Sequence, residues 1–215
     1  DIPAPDMGTD SKTMAWLMDE YHRLEGFQPA CVTGKPVELF GAPGREEATG
    51  RGVAMIAAAT LKKHKVKVEG ATVAIQGFGN VGRYAALVCQ ELGMRVIAVS
   101  DVSGGIVNAK GIDIASIFSH KSLETVDADN RVGAAEVLEV QCDVLIPAAL
   151  GGVINDGNVA KIKAEFIIEG ANQPITFAAD QELRAQGVVI VPDILANSGG
   201  VMGSYFEWTQ NIQEF

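Results

Sequence analysis

The sequence predicts an α/β fold with a doubly wound, mostly parallel sheet that carries helices on both faces. Short segments that are almost wholly apolar alternate with segments whose apolar residues recur at helical spacing, the pattern of a parallel sheet buried on both sides. A glycine-rich turn follows the first central apolar segment directly and opens a helix. The 215 residues suffice for one good-sized domain with a short appendage.

The N-terminal part of the chain predicts two helices separated by a loop. Asp10 or Ser11 can cap the first helix, and Gly26 ends it. Residues 27–48 are rich in glycine and proline and are predicted to be mostly loop. The second helix is predicted over about residues 49–64, with a run of alanines that permits close packing.

Five apolar segments then predict the strands of the sheet, and helical patterns lie between them. The strands are predicted over residues 71–76, 95–100, 143–146, 165–168 and 188–191. Helices are predicted over residues 81–92, around 113–119, from about 155, over 178–186, and from 196 to the chain end. The stretch between residues 103 and 140 is less regular.

Charge and composition exclude several classes of partner. The formal net charge of −10 and the isoelectric point near 4.7 disfavour binding to the negatively charged phosphodiester backbone of nucleic acids. The sequence also has no basic stripe, so no nucleic-acid partner is expected. No apolar run of about 18 residues exists, so no membrane partner is expected. The three cysteines share no metal-ligand spacing. We therefore expect no metal site, and reduced thiols in a cytoplasmic protein.

The turn Gly77-Phe-Gly79-Asn-Val-Gly82 predicts a dinucleotide phosphate site. Gly77 permits the tight turn, Gly79 lets the backbone approach a pyrophosphate, and Gly82 lets the helix pack close to the strand. The helix N-terminus offers N–H groups to the anion. This strand–turn–helix context is typical of a Rossmann-like fold. The cofactor-binding residues predicted in the turn are Gly77, Phe78, Gly79, Asn80, Val81 and Gly82.

Asp101 ends the second strand, 19 residues after Gly82, where a carboxylate accepts hydrogen bonds from the ribose hydroxyls of adenosine. The alternative interpretation is that Asp101 merely caps the turn-like stretch 100–105. A carboxylate at this position repels a 2′-phosphate, so NAD is the favoured cofactor. NADP remains the alternative, because Lys110 or Arg83 can swing in toward a phosphate.

Further segments are not explained by nucleotide binding alone, and together they extend over essentially the whole chain. They read DIPAPD at 1–6, TMAW at 13–16, VTGKP at 32–36, GREEATG at 44–50, EGAN at 169–172, NSGG at 197–200 and SYFEW at 204–208. With the glycine-rich turn, they resemble the Glu/Leu/Phe/Val dehydrogenase superfamily. The VTGKP and SYFEW segments are similar to its glutamate branch, and the chain is most like the C-terminal NAD(P)-binding domain.

The resemblance implies reversible oxidative deamination of L-glutamate to 2-oxoglutarate and ammonia, with hydride transfer to NAD(P). It implies that Asp6 is the catalytic proton shuttle. Thr49 matches a position near the nicotinamide amide, and Asn80 matches one in the phosphate turn. Asn172 matches a residue on the nicotinamide-side ribose, and Asn197 matches one that fixes the carboxamide.

The resemblance also implies a substrate pocket. Val201 and Ser204 match positions that line the pocket for the substrate side chain, with Ser204 donating to the distal carboxylate. Arg45 matches a residue at the substrate site. The family's essential lysine, in a Gly-Gly-Gly-Lys segment, has no counterpart in these 215 residues, and neither have the lysines that bind the substrate carboxylates.

On this resemblance, residues 1–48 are expected to be a connecting segment and helix from the boundary of a substrate domain. Residues 49–215 are expected to be the dinucleotide-binding domain, and the N-terminal substrate domain is expected to be absent from an excised or truncated piece. We therefore expect the chain to bind cofactor with little or no turnover. The parent enzyme is expected to bind an amino-acid or 2-oxo-acid substrate as a homohexamer, and the fragment to be a monomer or weak dimer.

Other functions remain open. A leucine, valine or phenylalanine dehydrogenase domain would differ in a pocket lysine of the missing domain. A nucleotide-sensing Rossmann module without catalysis has no need of a proton shuttle, so Asp6 argues against it. A domain similar to that of malic enzymes is a further option, but no metal-ligand cluster supports it.

Overall fold

The computed structural model describes residues 1–213, and they form two compact units. The first unit consists of residues 1–48 and the last helix, and the second consists of residues 49–198. We predicted the last helix as part of a 49–215 domain, whereas its contacts group it with residues 1–48. The functional division of the chain remains a prediction. The last two residues of the helix predicted to run to the chain end lie outside the described residues.

The secondary structure alternates as expected over most of the chain. The helices are α1 (Ser11–Glu25), α2 (Ala48–Lys63), α3 (Asn80–Glu91), α4 (Ile114–Ile117), α5 (Phe177–Ala185), α6 (Asp193–Ala196) and α7 (Gly199–Gln213). The strands are β1 (Thr72–Gln76), β2 (Arg95–Asp101), β3 (Gly104–Val107), β4 (Arg131–Val132), β5 (Val144–Pro147), β6 (Phe166–Ile168) and β7 (Val189–Val191). Within residues 1–213, no helix combines the length and apolarity needed to cross a membrane.

The second unit is built on one sheet with the strand order β4-β3-β2-β1-β5-β6-β7. β1 pairs in parallel with β2 on one side and with β5 on the other, and β6 and β7 extend the parallel part beyond β5. The order of the strands therefore reverses at β1. In open α/β sheets such a reversal opens a crevice at the carboxyl ends of the strands.

Both faces of the sheet are buried, which explains why its strands are almost wholly apolar. On one face, Ile75 and Ile146 belong to a core cluster that includes residues of α2 and α3. On the other face, Leu145 and Ile167 pack with Leu183 of α5 and with residues near the 3₁₀ turn Ala134–Glu139. The five predicted strands and the predicted doubly wound α/β fold are confirmed.

The structure adds an antiparallel edge that the sequence analysis did not predict. β3 pairs antiparallel with β2, and β4 pairs with β3. Gly104 and Gly105 lie in β3, although such a glycine pair is typical of a turn. At Gly105 a side chain would crowd Val132 and Val137, so the missing Cβ serves packing within the sheet rather than a longer loop.

The helix predicted from about Asn155 is wrong, since only the 3₁₀ turn Val159–Lys161 forms there. Asn155 accepts from the Gly157 N–H through its side chain, and Asn158 accepts from the Asn155 N–H. Asn158 also donates to the carbonyl of Val153. Asparagine side chains that bind nearby backbone groups offer an alternative to helical hydrogen bonds. The last helix, predicted from residue 196, begins at Gly199 instead, because a separate short helix, α6, ends at Ala196.

At the amino edge of the sheet, Thr72 and Asp143 tie β1 to β5. The carboxylate of Asp143 accepts from the N–H and the hydroxyl of Thr72, both at 2.6 Å, and the Asp143 N–H donates to the Thr72 hydroxyl at 2.9 Å. These bonds help to fix the register of β1 and β5, the two strands that meet where the strand order reverses.

In the first unit, α1 begins and ends where predicted. The Asp10 carboxylate accepts from the Thr13 N–H at 2.8 Å, and Gly26 is the C-cap. Met14 and Met18 of α1 bury one apolar face against Val32. This cluster is small, so polar interactions contribute much of the order in this unit.

A fully buried ion pair joins α7 to the VTGKP segment. Lys35 Nζ lies 2.6 Å from Glu207 Oε1, with both side chains fully buried. Glu207 also accepts from the N–H groups of Gly34 at 2.8 Å and Lys35 at 3.3 Å, and the Lys35 ammonium donates to the carbonyl of Val32. Because every charge here has hydrogen-bond partners, the pair is stable as a set and costly to break.

We expect Lys35→Met to destabilise the first unit by about 3–5 kcal/mol, because it leaves Glu207 buried without its cation. Both tryptophans, Trp16 and Trp208, lie in this unit, so urea unfolding followed by tryptophan fluorescence reports on it selectively. Lys12→Met, at an exposed lysine of α1, is the control and should change the free energy of unfolding by less than about 1 kcal/mol. Equal effects of the two substitutions would contradict the role of the pair.

Candidate functional site

The glycine-rich turn joins β1 to α3 at the point where the strand order reverses. Gly77 has φ +98°, and a side chain there would lie 2.8 Å from the backbone nitrogen of Ala149, two residues after β5. A side chain on Gly82 would overlap the carbonyl oxygen of Gly77. Both glycines are therefore required by the fold itself: one for the turn and its neighbour, and one for the close approach of α3.

Gly79 differs from these two glycines. Its φ of −77° is accessible to any residue, and no protein atom lies within 4 Å of the position of a Cβ. It is the N-cap of the 12-residue helix α3 and provides no side-chain cap. The space in front of the first amides of α3 is thus open, and the protein's own packing makes no use of the missing side chain.

Thr49 lies beside this turn because α2 packs directly against α3. At Gly50, the next residue, a Cβ would approach the carbonyl oxygen of Val81 to 2.5 Å and the Cβ of Tyr84 to 2.7 Å. The predicted cofactor residues Thr49, Asn80 and Val81 are therefore close neighbours in the structure.

The side chain of Phe78 is buried in the core and is covered by Arg83. The Arg83 guanidinium donates to the carbonyls of Phe118 at 2.7 Å and Phe78 at 3.2 Å, and its centre lies 5.2 Å from the Phe78 ring centroid. Arg83 is thus engaged in holding the turn. Of the two cations considered for a 2′-phosphate, this one is already bound by the protein.

Asp101 ends β2 and caps the turn that follows it, as the alternative interpretation has it, while its role toward a ribose stays a prediction. Its carboxylate accepts from the Ser103 N–H at 2.7 Å, from the Ser103 hydroxyl at 2.5 Å, and from the Leu123 N–H at 2.7 Å. Burial raises the pKa of Asp101, but these hydrogen bonds outweigh burial, and the pKa lies below its ordinary value. The turn therefore fixes an ionised carboxylate at the carboxyl edge of the sheet.

The two predicted nicotinamide-side asparagines meet directly. Asn197 Nδ2 donates to Asn172 Oδ1 at 2.8 Å and to the carbonyl of Gly170 at 3.4 Å. The N–H groups of Gly170 and Ala171 both donate to the carbonyl of Pro147, the last residue of β5. The asparagine pair therefore lies at the carboxyl edge of the sheet, on the β5 side of the reversal point.

In the first unit, Arg45 and Ser204 are also brought together. Arg45 Nε donates to Ser204 Oγ at 2.8 Å, and the buried Thr33 donates to the same oxygen at 3.0 Å. Gly203 makes this possible, because a side chain there would lie 2.9 Å from Arg45 Cδ. Val201, one turn earlier on α7, is exposed. Burial lowers the pKa of Arg45, and the charge of Glu207 opposes that effect.

Asp6 is exposed and lies in a turn of the first unit. Its N–H donates to the Thr9 hydroxyl, and its carboxylate accepts from the Met7 N–H at 2.7 Å. Residues 1–5, which we call the strap, precede Asp6. The VTGKP segment holds the strap, since the Thr33 N–H donates to the carbonyl of Pro3. Gly34, with φ +80°, lies against Pro5 and leaves no space for a side chain.

Comparison with known proteins identifies the family. The sequence profile of the Glutamate/Leucine/Phenylalanine/Valine dehydrogenase family matches residues 41–215. The chain belongs to this family. The resemblance inferred from its motifs is therefore confirmed.

Several glutamate dehydrogenases are similar to this family member over its whole length. The enzyme of Thermotoga maritima is 50% identical over 221 aligned residues, which cover 100% of this chain and 53% of that protein. The hetero-hexameric enzyme of Thermus thermophilus, in its Leu-bound form, has a TM-score of 0.94 at 36% identity and covers 100% of this chain, which spans 52% of the other. For the Peptoniphilus asaccharolyticus enzyme the TM-score is 0.81 at 36% identity, with 100% and 52% coverage. The chain spans about half the length of these dehydrogenases.

Three residues that form hydrogen bonds at or beside the candidate site were not singled out from the sequence. Thr33 lies in the quoted VTGKP segment, but nothing in its local sequence indicates a contact with a serine on α7. Glu169 and Asp193 are also involved, because the Glu169 carboxylate accepts from the Asp193 N–H at 2.8 Å. Within residues 1–213, no group of three or more histidine, cysteine or acidic side chains is arranged to hold a metal ion.

The contribution of the Glu169 carboxyl to folding stability should depend on pH. Burial raises the pKa of this carboxyl above its ordinary value; the hydrogen bond from Asp193 and the charge of Arg184 oppose the rise, and the charges of Asp193 and Asp180 add to it. The ionised form is thus less favourable in the folded state than in the unfolded one. Stability contributed at low pH is lost as pH rises through the raised pKa.

We therefore expect Glu169→Gln to gain stability relative to the wild type between pH 4 and pH 8, measured by urea unfolding with circular dichroism at both values. The amide oxygen of glutamine can still accept from the Asp193 N–H. Glu182→Gln, at an exposed position on α5, controls for the loss of one charge. A Glu169→Gln difference that is constant or moves the other way would contradict this assignment.

Proposed function

We propose that this chain is the NAD(P)-binding part of an amino-acid dehydrogenase of the glutamate branch, which converts L-glutamate reversibly to 2-oxoglutarate and ammonia. Gly79 carries the proposal. The fold requires Gly77 and Gly82, whereas Gly79 has an ordinary φ and open space where a side chain would lie. A pyrophosphate at the N-terminus of α3 accounts for the glycine, because a side chain would keep the phosphates from the backbone amides.

The remaining predicted residues fit such a ligand. The turn from Gly77 to Gly82 would bind the phosphates through backbone N–H groups, and Asp101 would accept from the adenosine ribose. Asn172 and Asn197 would bind the nicotinamide half, with Thr49 beside the turn. When bound, the nicotinamide supplies the hydride acceptor for the substrate Cα. The residues of this chain bind and orient the reactants.

The favoured cofactor is NAD rather than NADP. Asp101 is held ionised at the position where a 2′-phosphate would bring further negative charge. Arg83, one of the two cations that could compensate, is bound to the carbonyls of Phe78 and Phe118. Both observations support discrimination against the 2′-phosphate.

The substrate side belongs to the first unit. Ser204 Oγ accepts from both Arg45 and Thr33, and a hydroxyl has two acceptor sites and one donor proton. We propose that Ser204 donates this proton to the distal carboxylate of glutamate, with Val201 lining the pocket. Asp6 would take a proton from the substrate amine and return it at the carbinolamine stage.

The proposal extends to the longer protein. Residues 1–48 would lead from a substrate domain, residues 49–215 would form the cofactor domain, and the lysines absent from this sequence would be supplied by the substrate domain. The 215-residue chain would then bind nucleotide with little turnover. The Thermus thermophilus relative is named as a hetero-hexamer, and we propose a homohexamer for the parent enzyme and a cytoplasmic location.

We expect calorimetric titration of the 215-residue chain to show saturable binding of NAD that is tighter than that of NADP. Gly79→Val should raise the Kd for NAD roughly tenfold or more by keeping the phosphates from the amides of α3. It should change the free energy of unfolding by no more than about 1 kcal/mol. Lys67→Val, at an exposed position ahead of β1 and at the opposite end of that strand, should leave binding unchanged. Absence of nucleotide binding at millimolar concentration would overturn the proposal.

In a full-length enzyme that contains this chain, Asp6→Asn should lower turnover by about 10²–10⁴-fold, because the amide cannot move a proton. The Kd for NAD should stay within about twofold of the wild type. Asp10→Asn is the matched control, since asparagine caps a helix as well as aspartate does, and its turnover should be that of the wild type. Weaker NAD binding with unchanged turnover in Asp6→Asn would contradict the proton-transfer role.

A further inference from the structure

We propose that Glu169 and Asp193 are positioning residues that hold Asn172 and Asn197 in place for the nicotinamide end of the cofactor. The inference rests on the proposed function and names residues that neither the turn motif nor the resemblance assigned. All four residues lie in the second unit, after β6 and β7.

Glu169 couples the end of β6 to the start of α6. The residue is 8% exposed, and its carboxylate accepts from the Asp193 N–H at 2.8 Å. Its own N–H donates to the carbonyl of Val191, at the end of β7. A buried carboxylate beside the acidic groups of Asp193 and Asp180 is costly in a fold, so its hydrogen bond with Asp193 points to a positioning task rather than to core packing.

Asp193 in turn contacts both loops that carry the asparagines. Its carboxylate accepts from the Gln173 N–H at 2.8 Å, directly after Asn172. Its carbonyl accepts from the Asn197 N–H at 2.9 Å. Asp193 is therefore bonded on one side to the residue that follows Asn172 and on the other side to Asn197 itself.

The backbone at Gln173 needs such support. Its φ of +47° lies in the left-handed region, which is unfavourable for a glutamine. Two hydrogen bonds hold it there: the one to Asp193 and one from the Gly152 N–H to its carbonyl at 2.9 Å. Removal of the Asp193 acceptor would let Gln173 relax and would shift Asn172 with it.

The result is a paired donor and acceptor. Asn197 uses an amide hydrogen and Asn172 uses its oxygen in their mutual bond at 2.8 Å. The amide hydrogens of Asn172 and the oxygen of Asn197 are then available to a ligand. Such a pair suits a ribose hydroxyl and a carboxamide, each of which can both donate and accept, provided that the two side chains keep their relative position.

The test separates the two ends of the cofactor. NADH fluorescence reports on the nicotinamide directly, while ADP-ribose carries the adenosine and both phosphates without the nicotinamide. In the 215-residue chain, Glu169→Ala should raise the Kd for NADH about tenfold and lower the fluorescence gain on binding. Its Kd for ADP-ribose should stay within about twofold of the wild type. Glu169→Gln keeps the acceptor and should restore NADH binding, and Glu182→Ala, at an exposed position of α5, is the matched control.

Each outcome decides the proposal. Unchanged NADH binding in Glu169→Ala, or an equal loss of NADH and ADP-ribose, would overturn it. If Glu169→Ala does not fold, Asp193→Ala is the second variant. It removes the acceptor for the Gln173 N–H but keeps the backbone N–H that donates to Glu169. NADH binding equal to that of the wild type in Asp193→Ala would also overturn the proposal. A wild-type chain that binds neither compound would instead refute the proposed function.

Discussion

The order of the first unit depends on the buried ion pair between Lys35 and Glu207. This pair draws together three motifs that are far apart in the sequence. Glu207 on α7 holds the N–H of Gly34, and Gly34 packs against Pro5 in the strap that precedes Asp6. The same segment places the Thr33 hydroxyl on Ser204. One buried charge pair therefore organises both the strap that precedes Asp6, the proposed proton shuttle, and the contact between the hydroxyls of Thr33 and Ser204.

In the second unit, close backbone contacts at glycines, rather than a buried ion pair, hold the glycine-rich turn in place. α3 approaches β1 so closely that Gly82 lies against the carbonyl of Gly77, and Gly77 in turn lies against the end of β5. Two of the turn's three motif glycines are thus explained by the protein's own atoms. The remaining one, Gly79, has no protein atom near the position of a Cβ, and we proposed a pyrophosphate to account for it. Polar side chains then complete the edge, with Asp101 on the β2 side and the asparagine pair on the β5 side.

How much of this was predictable depends on the range of the interactions involved. Strands and helices that bury regular apolar patterns were predicted to within a few residues, as was the glycine turn, because these features are encoded locally. The wrong predictions lie where local sequence admits two structures. The side chains of Asn155 and Asn158 form hydrogen bonds to nearby backbone groups instead of allowing a helix. Gly104 and Gly105, a pair typical of a turn, lie in a strand. Thr33 and Glu169 could not be assigned roles, because their partners are defined only by the folded chain.

The Thr72 and Asp143 bonds have a consequence for the growing chain. They join residues 71 positions apart, so β1 has an unpaired edge until β5 has been synthesised. Until then its backbone groups and apolar side chains offer a template for association with other chains. During that interval the glycine turn is flanked by β2 but not yet by β5. The proposed nucleotide would stabilise only states that can bind it, so it would not assist folding until the strand that follows Asp143 has joined the sheet.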